Sequence, residues 1–120
     1  MKELPDRLAQ ALVEQRFVGK LEGSSAVGRG TNAACGDLLE VSVGELDGKL
    51  RLRFQAQACG AVIAVAAYAC EALDGRTRQD VHDFDLAQAV EDLGGLPRHR
   101  QHAIRVFERA LAEALDGLPA

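Results

Sequence analysis

Two cysteines of this 120-residue chain stand beside glycines in contexts that suit metal chemistry. Cys35 opens the tripeptide C-G-D, which ends at Asp37, and Cys59 is followed directly by another glycine. The total of three cysteines excludes a complete disulfide framework and a four-cysteine zinc ribbon, and their spacing contains no C-x-x-C redox pair. Thiolates are soft ligands and a carboxylate is a hard, exchangeable one. Cys35, Asp37 and Cys59 could therefore hold a thiophilic metal together.

A hairpin is predicted to bring these residues to one place. Apolar and polar residues alternate over residues 39–43 and again over 50–54, and the Asp-Gly dipeptide between them favours a tight hairpin turn. In such a hairpin the start of the first strand lies beside the end of the second, so we expect Cys35 to approach Cys59. Residues 35 and 37 of a strand also share a face, which adds Asp37 to the same corner.

A buried helix is predicted to follow Cys59. Residues 61–73 are apolar nearly all round and rich in alanine, the best helix former. A helix N-terminus stabilises negative charge, which suits a sulfur ligand at Cys59. Cys70 stands eleven residues later, about 16 Å along a helix axis, and is therefore interpreted as a core residue. The alternative is that Cys35 and Cys59 are themselves two structural thiols, because free cysteine is often buried.

The remaining segments predict an α+β fold. We expect helices over residues 4–16, 86–93 and 97–116, a short helix capped by Thr77 and Asp80, and a glycine-rich loop over 17–32. The charged outer face of the hairpin indicates a sheet that is covered on one side only. The whole chain, residues 1–120, is thus predicted to be a single domain with a small antiparallel sheet covered on one face by helices.

A tetrahedral site needs a fourth ligand, and the candidates are three histidines. They are His82, His99 and His102. His102 comes two residues before the buried stripe of the last helix begins, which places it near the core, although a lone histidine is more often a surface residue.

Composition and charge exclude several function classes. The net charge of −4, with four Phe, one Tyr and no Trp, argues against nucleic-acid binding. The longest apolar run, residues 61–70, is far shorter than the roughly 20 residues of a membrane span, and no signal peptide is recognised, so a cytoplasmic protein without membrane association is expected. Arg98, Arg100 and Arg105 cluster around two of the histidines and form either a solvated basic face or a contact for a partner or an anion.

Three stretches taken together resemble the iron–sulfur cluster assembly scaffolds, the family of IscU and of the N-terminal domain of NifU. They are GRGTNAACGD at 28–37, RFQAQACGAVIAVAAYACEALDGRT at 53–77 and GGLPRHRQHAIRVFERALAEAL at 94–115. By this resemblance Cys35, Asp37, Cys59 and His102 correspond to two cysteine ligands, the tuning aspartate and the histidine of the family. Ala103 stands where the family has its third cysteine.

The resemblance implies a scaffold or carrier and not an enzyme. It would bind a transient [2Fe–2S] cluster or Zn²⁺ at these four residues, receive sulfur from a cysteine desulfurase and serve acceptor apoproteins. Residues 96–100 differ from the segment that IscU presents to its dedicated Hsp70 chaperone, which places that recruitment in doubt. Two alternatives stay open: a zinc-bound sulfur acceptor similar to SufU, and a degenerate interaction domain that has lost the chemistry.

Overall fold

Helices and one small sheet make up the fold, and the computed structural model describes residues 4–23 and 25–119, with the backbone but not the side chain of Cys35. In chain order the elements are α1 (Asp6–Glu14), β1 (Ser25–Asn32), β2 (Asp37–Leu46), β3 (Lys49–Gln57), α2 (Gly60–Leu73), α3 (Arg78–Asp83), α4 (Leu86–Asp92) and α5 (His102–Asp116), with 3₁₀ turns at Ala33–Cys35 and Arg98–Arg100. The predicted α+β class is confirmed. Among the described residues, every helix is too short or too polar to cross a membrane.

The predicted hairpin is confirmed, with strands longer than expected at both ends. β2 and β3 are antiparallel and pair from Leu38 opposite Gln57 to Leu46 opposite Lys49. The two-residue turn between them, residues 47 and 48, has φ angles of 54° and 77°. Both are positive, as a type I′ hairpin turn requires, which is why the Asp-Gly dipeptide identified it.

The prediction of a loop over residues 17–32 is wrong for its second half. Residues 25–32 form β1, an edge strand that pairs antiparallel with β2 in the order β1-β2-β3. The two glycines within this strand serve packing. A Cβ added at Gly28 would lie 1.9 Å from the carbonyl oxygen of Ala110, and one at Gly30 would lie 2.0 Å from that of Val106. Glycine in this strand therefore allows the backbone of α5 to approach the sheet closely.

The core lies between the sheet and the two long helices α2 and α5. Inward-facing residues of β2 and β3 meet apolar residues of both helices. The largest of these buried residues are Leu39, Val41, Val43, Leu50, Leu52, Phe54, Val62, Val65, Leu73 and Phe107. The predicted buried helix after Cys59 is confirmed as α2. The start of α2 follows the end of β3 after two residues, so Cys59 lies at the edge of this core.

The last helix begins later than predicted. Pro97 has an extended backbone, with φ −54° and ψ 150°, and a 3₁₀ turn at residues 98–100 follows it. The backbone N–H of Arg100 donates to the carbonyl of Pro97 within this turn. Pro97 therefore lies outside the helix, and the regular helix starts only at His102, after the 3₁₀ turn. His102 is consequently the first residue of α5 and not a residue one turn inside it.

The start of α3 yields a modest stability prediction. The Thr77 side chain accepts from the Asp80 backbone, and the Asp80 side chain accepts from the Thr77 backbone, as predicted for a capping box. Replacing Thr77 with alanine should lower the free energy of unfolding by about 1 kcal/mol, measured by urea denaturation. The control is Gln79→Ala on the same exposed helix, which should change it by about 0.5 kcal/mol or less. Equal effects of the two variants would show that the cap contributes nothing.

Candidate metal centre

Three potential ligand side chains converge at the end of the sheet where β2 begins and β3 ends. They are Asp37, Cys59 and His102, and one ligand atom from each lies within 4.8 Å of the others. The Cys59 Sγ is 4.0 Å from His102 Nε2, and that nitrogen is 3.0 Å from Asp37 Oδ2. Zinc bonds of about 2.0 to 2.3 Å hold ligand atoms about 3.3 to 3.8 Å apart, so small side-chain adjustments would let one metal ion bridge the three.

Each of the three residues lies at the junction of two elements. Asp37 is the first residue of β2, Cys59 is the N-cap residue of α2, and His102 is the first residue of α5. The Asp37 side chain is fully buried, and its Oδ1 accepts a hydrogen bond of 2.9 Å from the Cys59 backbone N–H. Asp37 thereby holds the turn between β3 and α2 in place. The predicted hairpin placed these two residues at one corner, but it did not specify that the Asp37 side chain accepts from the Cys59 backbone.

The close packing of α5 on β1 aligns His102 with the site. Gly30 lies against the backbone of Val106 and Gly28 against that of Ala110. Two strand residues advance about 6.6 Å and four helix residues about 6 Å, so the two elements stay in step. Continuing this register by one step brings His102 to the level of Asn32, the residue that pairs with Asp37.

The site is partly open to solvent. The His102 side chain is 17% exposed and Cys59 is half-buried, whereas Asp37 is not exposed at all. A metal ion or a sulfur donor would therefore reach the site from the side of Cys59 and His102. One thiol, one imidazole and one carboxylate form a mixed donor set that suits zinc or a single iron of a cluster.

Cys35 belongs to the 3₁₀ turn that joins β1 to β2, two residues before Asp37. Its backbone is therefore at the same end of the sheet as the three converging side chains. Its side chain lies outside the part of the molecule that the structure describes. The approach of its sulfur to that of Cys59 stays a prediction.

The other candidate histidines lie apart from this group, and Cys70 is a core residue as predicted. His82 and His99 are both exposed, the first in α3 and the second in the 3₁₀ turn before α5. Neither joins the group of ligand atoms found among residues 4–23 and 25–119. Burial raises the pKa of the Cys70 thiol far above its ordinary range, which keeps the thiol protonated inside α2.

Ala103, the residue after His102, is fully buried. The resemblance places a third cysteine ligand there. Alanine at this position contributes to packing and has no atom that can bind a metal. The described part of the site is thus limited to one thiol, one imidazole and one carboxylate.

Comparison with known proteins relates the chain to one family in both its family match and its similar sequences. Residues 6–119 match the family described as the NifU-like N terminal domain. The chain is 31% identical over 111 residues to an iron–sulfur cluster assembly scaffold protein IscU of Archaeoglobus fulgidus, covering 92% of this chain and 72% of that protein. It is 33% identical over 116 residues to the IscU scaffold protein of Aquifex aeolicus, covering 94% and 74% of the two chains.

Solved structures share the fold at lower sequence identity. A putative scaffold protein for the SUF system from Fervidobacterium islandicum superimposes with a TM-score of 0.68 at 18% identity, over 95% of both chains. A NifU-like N-terminal structure from Brucella abortus superimposes with a TM-score of 0.60 at 20% identity, over 87% of this chain and 74% of that one. At these identities the similarity is evidence of the fold alone.

Proposed function

This chain belongs to the NifU-like N-terminal domain family, and on that premise we propose that it is a scaffold or carrier in iron–sulfur cluster assembly. The family match over residues 6–119 confirms the resemblance drawn from the three sequence stretches. Scaffold proteins of this kind are generally not enzymes. A cluster or metal ion is their cargo, which they bind and pass on.

The observation that supports this proposal most is the convergence of Asp37, Cys59 and His102 at a partly open end of the sheet. We propose that these three side chains and Cys35 hold the cargo. [2Fe–2S] clusters usually have four cysteine ligands, although histidine can replace cysteine on one iron. A set with two thiolates, one imidazole and one carboxylate would bind a cluster less firmly. Weak retention suits a protein that must hand its cluster on.

Two alternatives use the same site. A mononuclear zinc ion also fits the three ligand atoms, so a zinc-bound sulfur acceptor similar to SufU is the second candidate. The likeness to a SUF-system structure does not favour it, because 18% identity bears on the fold alone. A degenerate domain is favoured by Ala103 and disfavoured by the retained convergence of three donors.

We further propose that a cysteine desulfurase supplies the sulfur and that apoproteins accept the cluster. The cytoplasm is the proposed location, because its reducing conditions keep cysteines such as Cys59 available as thiolate ligands. These partners follow from the family and the site chemistry together.

Anaerobic purification with metal and sulfide analysis separates the three functions. Iron with acid-labile sulfide and charge-transfer absorption, before or after reconstitution, is the result expected for the scaffold. One zinc per chain that iron and sulfide cannot replace would favour the sulfur acceptor. Failure to bind either metal would favour the degenerate domain and overturn the proposal.

Asp37 and His102 are expected to affect the cargo in opposite directions. A carboxylate is a harder and more exchangeable ligand for iron than a thiolate. Asp37→Ala should therefore leave the remaining ligands occupied, lengthen the lifetime of the cluster and slow its transfer. His102→Ala should weaken binding by about tenfold or more, the lower range of losses seen when metal sites lose a supporting group. Both are measured by cluster decay and transfer to an apo-ferredoxin after anaerobic loading.

Asp37→Asn is the control that separates the two roles of Asp37. Its amide oxygen can still accept from the Cys59 backbone N–H, while it is a poorer metal ligand. Slow transfer in both Asp37 variants would identify a ligand role. A change in the alanine variant alone would mean that Asp37 acts by holding Cys59 in position. Faster cluster loss from Asp37→Ala than from the parent would contradict the prediction.

A further inference from the structure

Three exposed arginines stand on and just before the last helix without a carboxylate partner. They are Arg98, Arg105 and Arg109, and no salt bridge joins them to a carboxylate within residues 4–23 and 25–119. Other arginines of the described residues do have such partners, in the pairs Arg7–Glu71, Arg29–Glu40, Arg53–Asp74 and Arg78–Glu45. Arg98, Arg105 and Arg109 lie within one twelve-residue segment around His102. The other exposed arginines without a carboxylate partner among the described residues, Arg16, Arg51 and Arg76, are far apart in the sequence.

These arginines are spaced along the segment that contains His102. Arg105 and Arg109 follow His102 by three and seven residues along α5, spacings that place side chains on one face of a helix. Arg98 precedes Arg105 by seven residues, in the 3₁₀ turn that leads into the helix. We call these three residues the arginine row. At about 2.0 Å rise per residue in the turn and 1.5 Å in the helix, the row is about 17 Å long.

The position of the arginine row brings no benefit to the helix itself. The N-terminus of a helix carries partial positive charge, so cations in and before the first turn are unfavourable there. Arg98 and Arg105 occupy this end of α5, which is 15 residues long. Charges that are unfavourable for the fold and lack internal partners are available for an external anion. The partly exposed site residues Cys59 and His102 lie near the same end of the helix.

We propose that the arginine row is a docking surface for an acidic segment of a partner protein, which would lie beside the opening of the Asp37–Cys59–His102 site. Alternate side chains of an extended segment point the same way about 6.6 Å apart, and Arg105 and Arg109 are separated by about 6 Å of helix rise. Guanidinium groups can also bind carboxylates in a bidentate manner.

A nucleic acid is the less suitable occupant. Glu108, Glu113 and Asp116 lie on the same helix as the row, and the chain as a whole is negative. A continuous phosphate backbone would extend past the three arginines and be repelled by Glu113 and Asp116. A short acidic peptide need be no longer than the arginine row and so need not reach those carboxylates.

Fluorescence anisotropy of a labelled hexaglutamate peptide at low salt tests the proposal. The test variant carries Arg98→Gln, Arg105→Gln and Arg109→Gln, and the control carries Arg16→Gln, Lys49→Gln and Arg51→Gln at exposed positions elsewhere. Both lose three positive charges, which takes the formal net charge from −4 to −7. Because exposed ion pairs are individually weak, we expect about tenfold weaker binding in the test variant and less than about twofold in the control.

Several outcomes would overturn the proposal. Equal weakening in both variants would mean that the peptide senses net charge alone, and absence of saturable binding to the parent would exclude the surface. Tighter binding of an oligothymidine than of the peptide, lost in the same variant, would identify a nucleic-acid site instead. If the triple variant fails to fold by circular dichroism, Arg98→Gln and Arg109→Gln tested singly should each weaken binding about twofold, and Arg16→Gln tested singly should leave it unchanged. Equal effects of the three single variants would overturn the proposal. None of these measurements involves metal, so they are independent of the proposed function.

Discussion

Replacing Cys59 with alanine is expected to abolish metal and cluster binding, whereas the same replacement at Cys70 should leave binding intact. Cys59 is half-buried at the start of α2, and its sulfur lies 4.0 Å from His102 Nε2. It is the soft ligand of the described donor set, so its loss leaves only an imidazole and a carboxylate there. Cys70 is fully buried in the same helix, about 16 Å away along the axis, where its thiol packs in the core.

The measurement is bound metal per chain after anaerobic loading with zinc or with iron and sulfide. The parent and Cys70→Ala should retain similar amounts, and Cys59→Ala should retain almost none. Cys35→Ala is expected to match Cys59→Ala if its sulfur is the fourth ligand. Loss of metal from Cys70→Ala in a folded protein would contradict the site assignment, as would full occupancy in Cys59→Ala.

Replacing Gly28 with alanine is expected to have the largest effect on stability. The added Cβ would lie 1.9 Å from the Ala110 carbonyl oxygen and 2.4 Å from the Ala114 backbone nitrogen. Both contacts are with the helix backbone, which cannot rotate away as a side chain can. We expect the free energy of unfolding to fall by about 3 kcal/mol or more, since overpacking a core costs about 1 to 3 kcal/mol even when side chains can adjust.

Gly60→Ala is the matched control, because it adds the same methyl group where space is available. Its Cβ would meet only the Leu12 Cδ2, at 3.7 Å, which is ordinary contact. Thermal unfolding should show a decrease in Tm of about 10 °C or more for Gly28→Ala and a change of a few degrees at most for the control. Similar Tm values for Gly28→Ala and the parent would mean that α5 does not pack on β1 as closely as described.

The close packing of α5 on β1 should also determine the position of His102 in the candidate metal centre. Gly30 lies against Val106 one turn after His102, so a side chain at Gly30 would push the start of α5 away from the sheet. Separation of His102 from Asp37 would follow. The glycines of β1 therefore act on the candidate metal centre although none of them touches a ligand.

Several parts of this protein are determined by local sequence. The hairpin turn at residues 47–48 needs positive φ angles, which an Asp-Gly dipeptide supplies. The capping box at Thr77 depends on residues three positions apart, and the burial of α2 follows from its apolar composition. These features depend on near neighbours in the chain, so pattern and composition suffice to predict them. The three stretches that contain Cys35-Gly36-Asp37, Cys59 and His102 likewise sufficed, taken together, to indicate the family.

Only the tertiary structure decided the rest. Glycine occurs both in loops and in strands that pack closely on a helix, so the sequence of β1 is ambiguous. The approach of the α5 backbone to Gly28 is a tertiary contact and is not visible in the sequence. The choice of His102 over the other two histidines depends on its contact with Asp37, which is 65 positions away in the sequence. Such contacts are set by how the helices pack on the sheet, and local patterns carry no record of that packing.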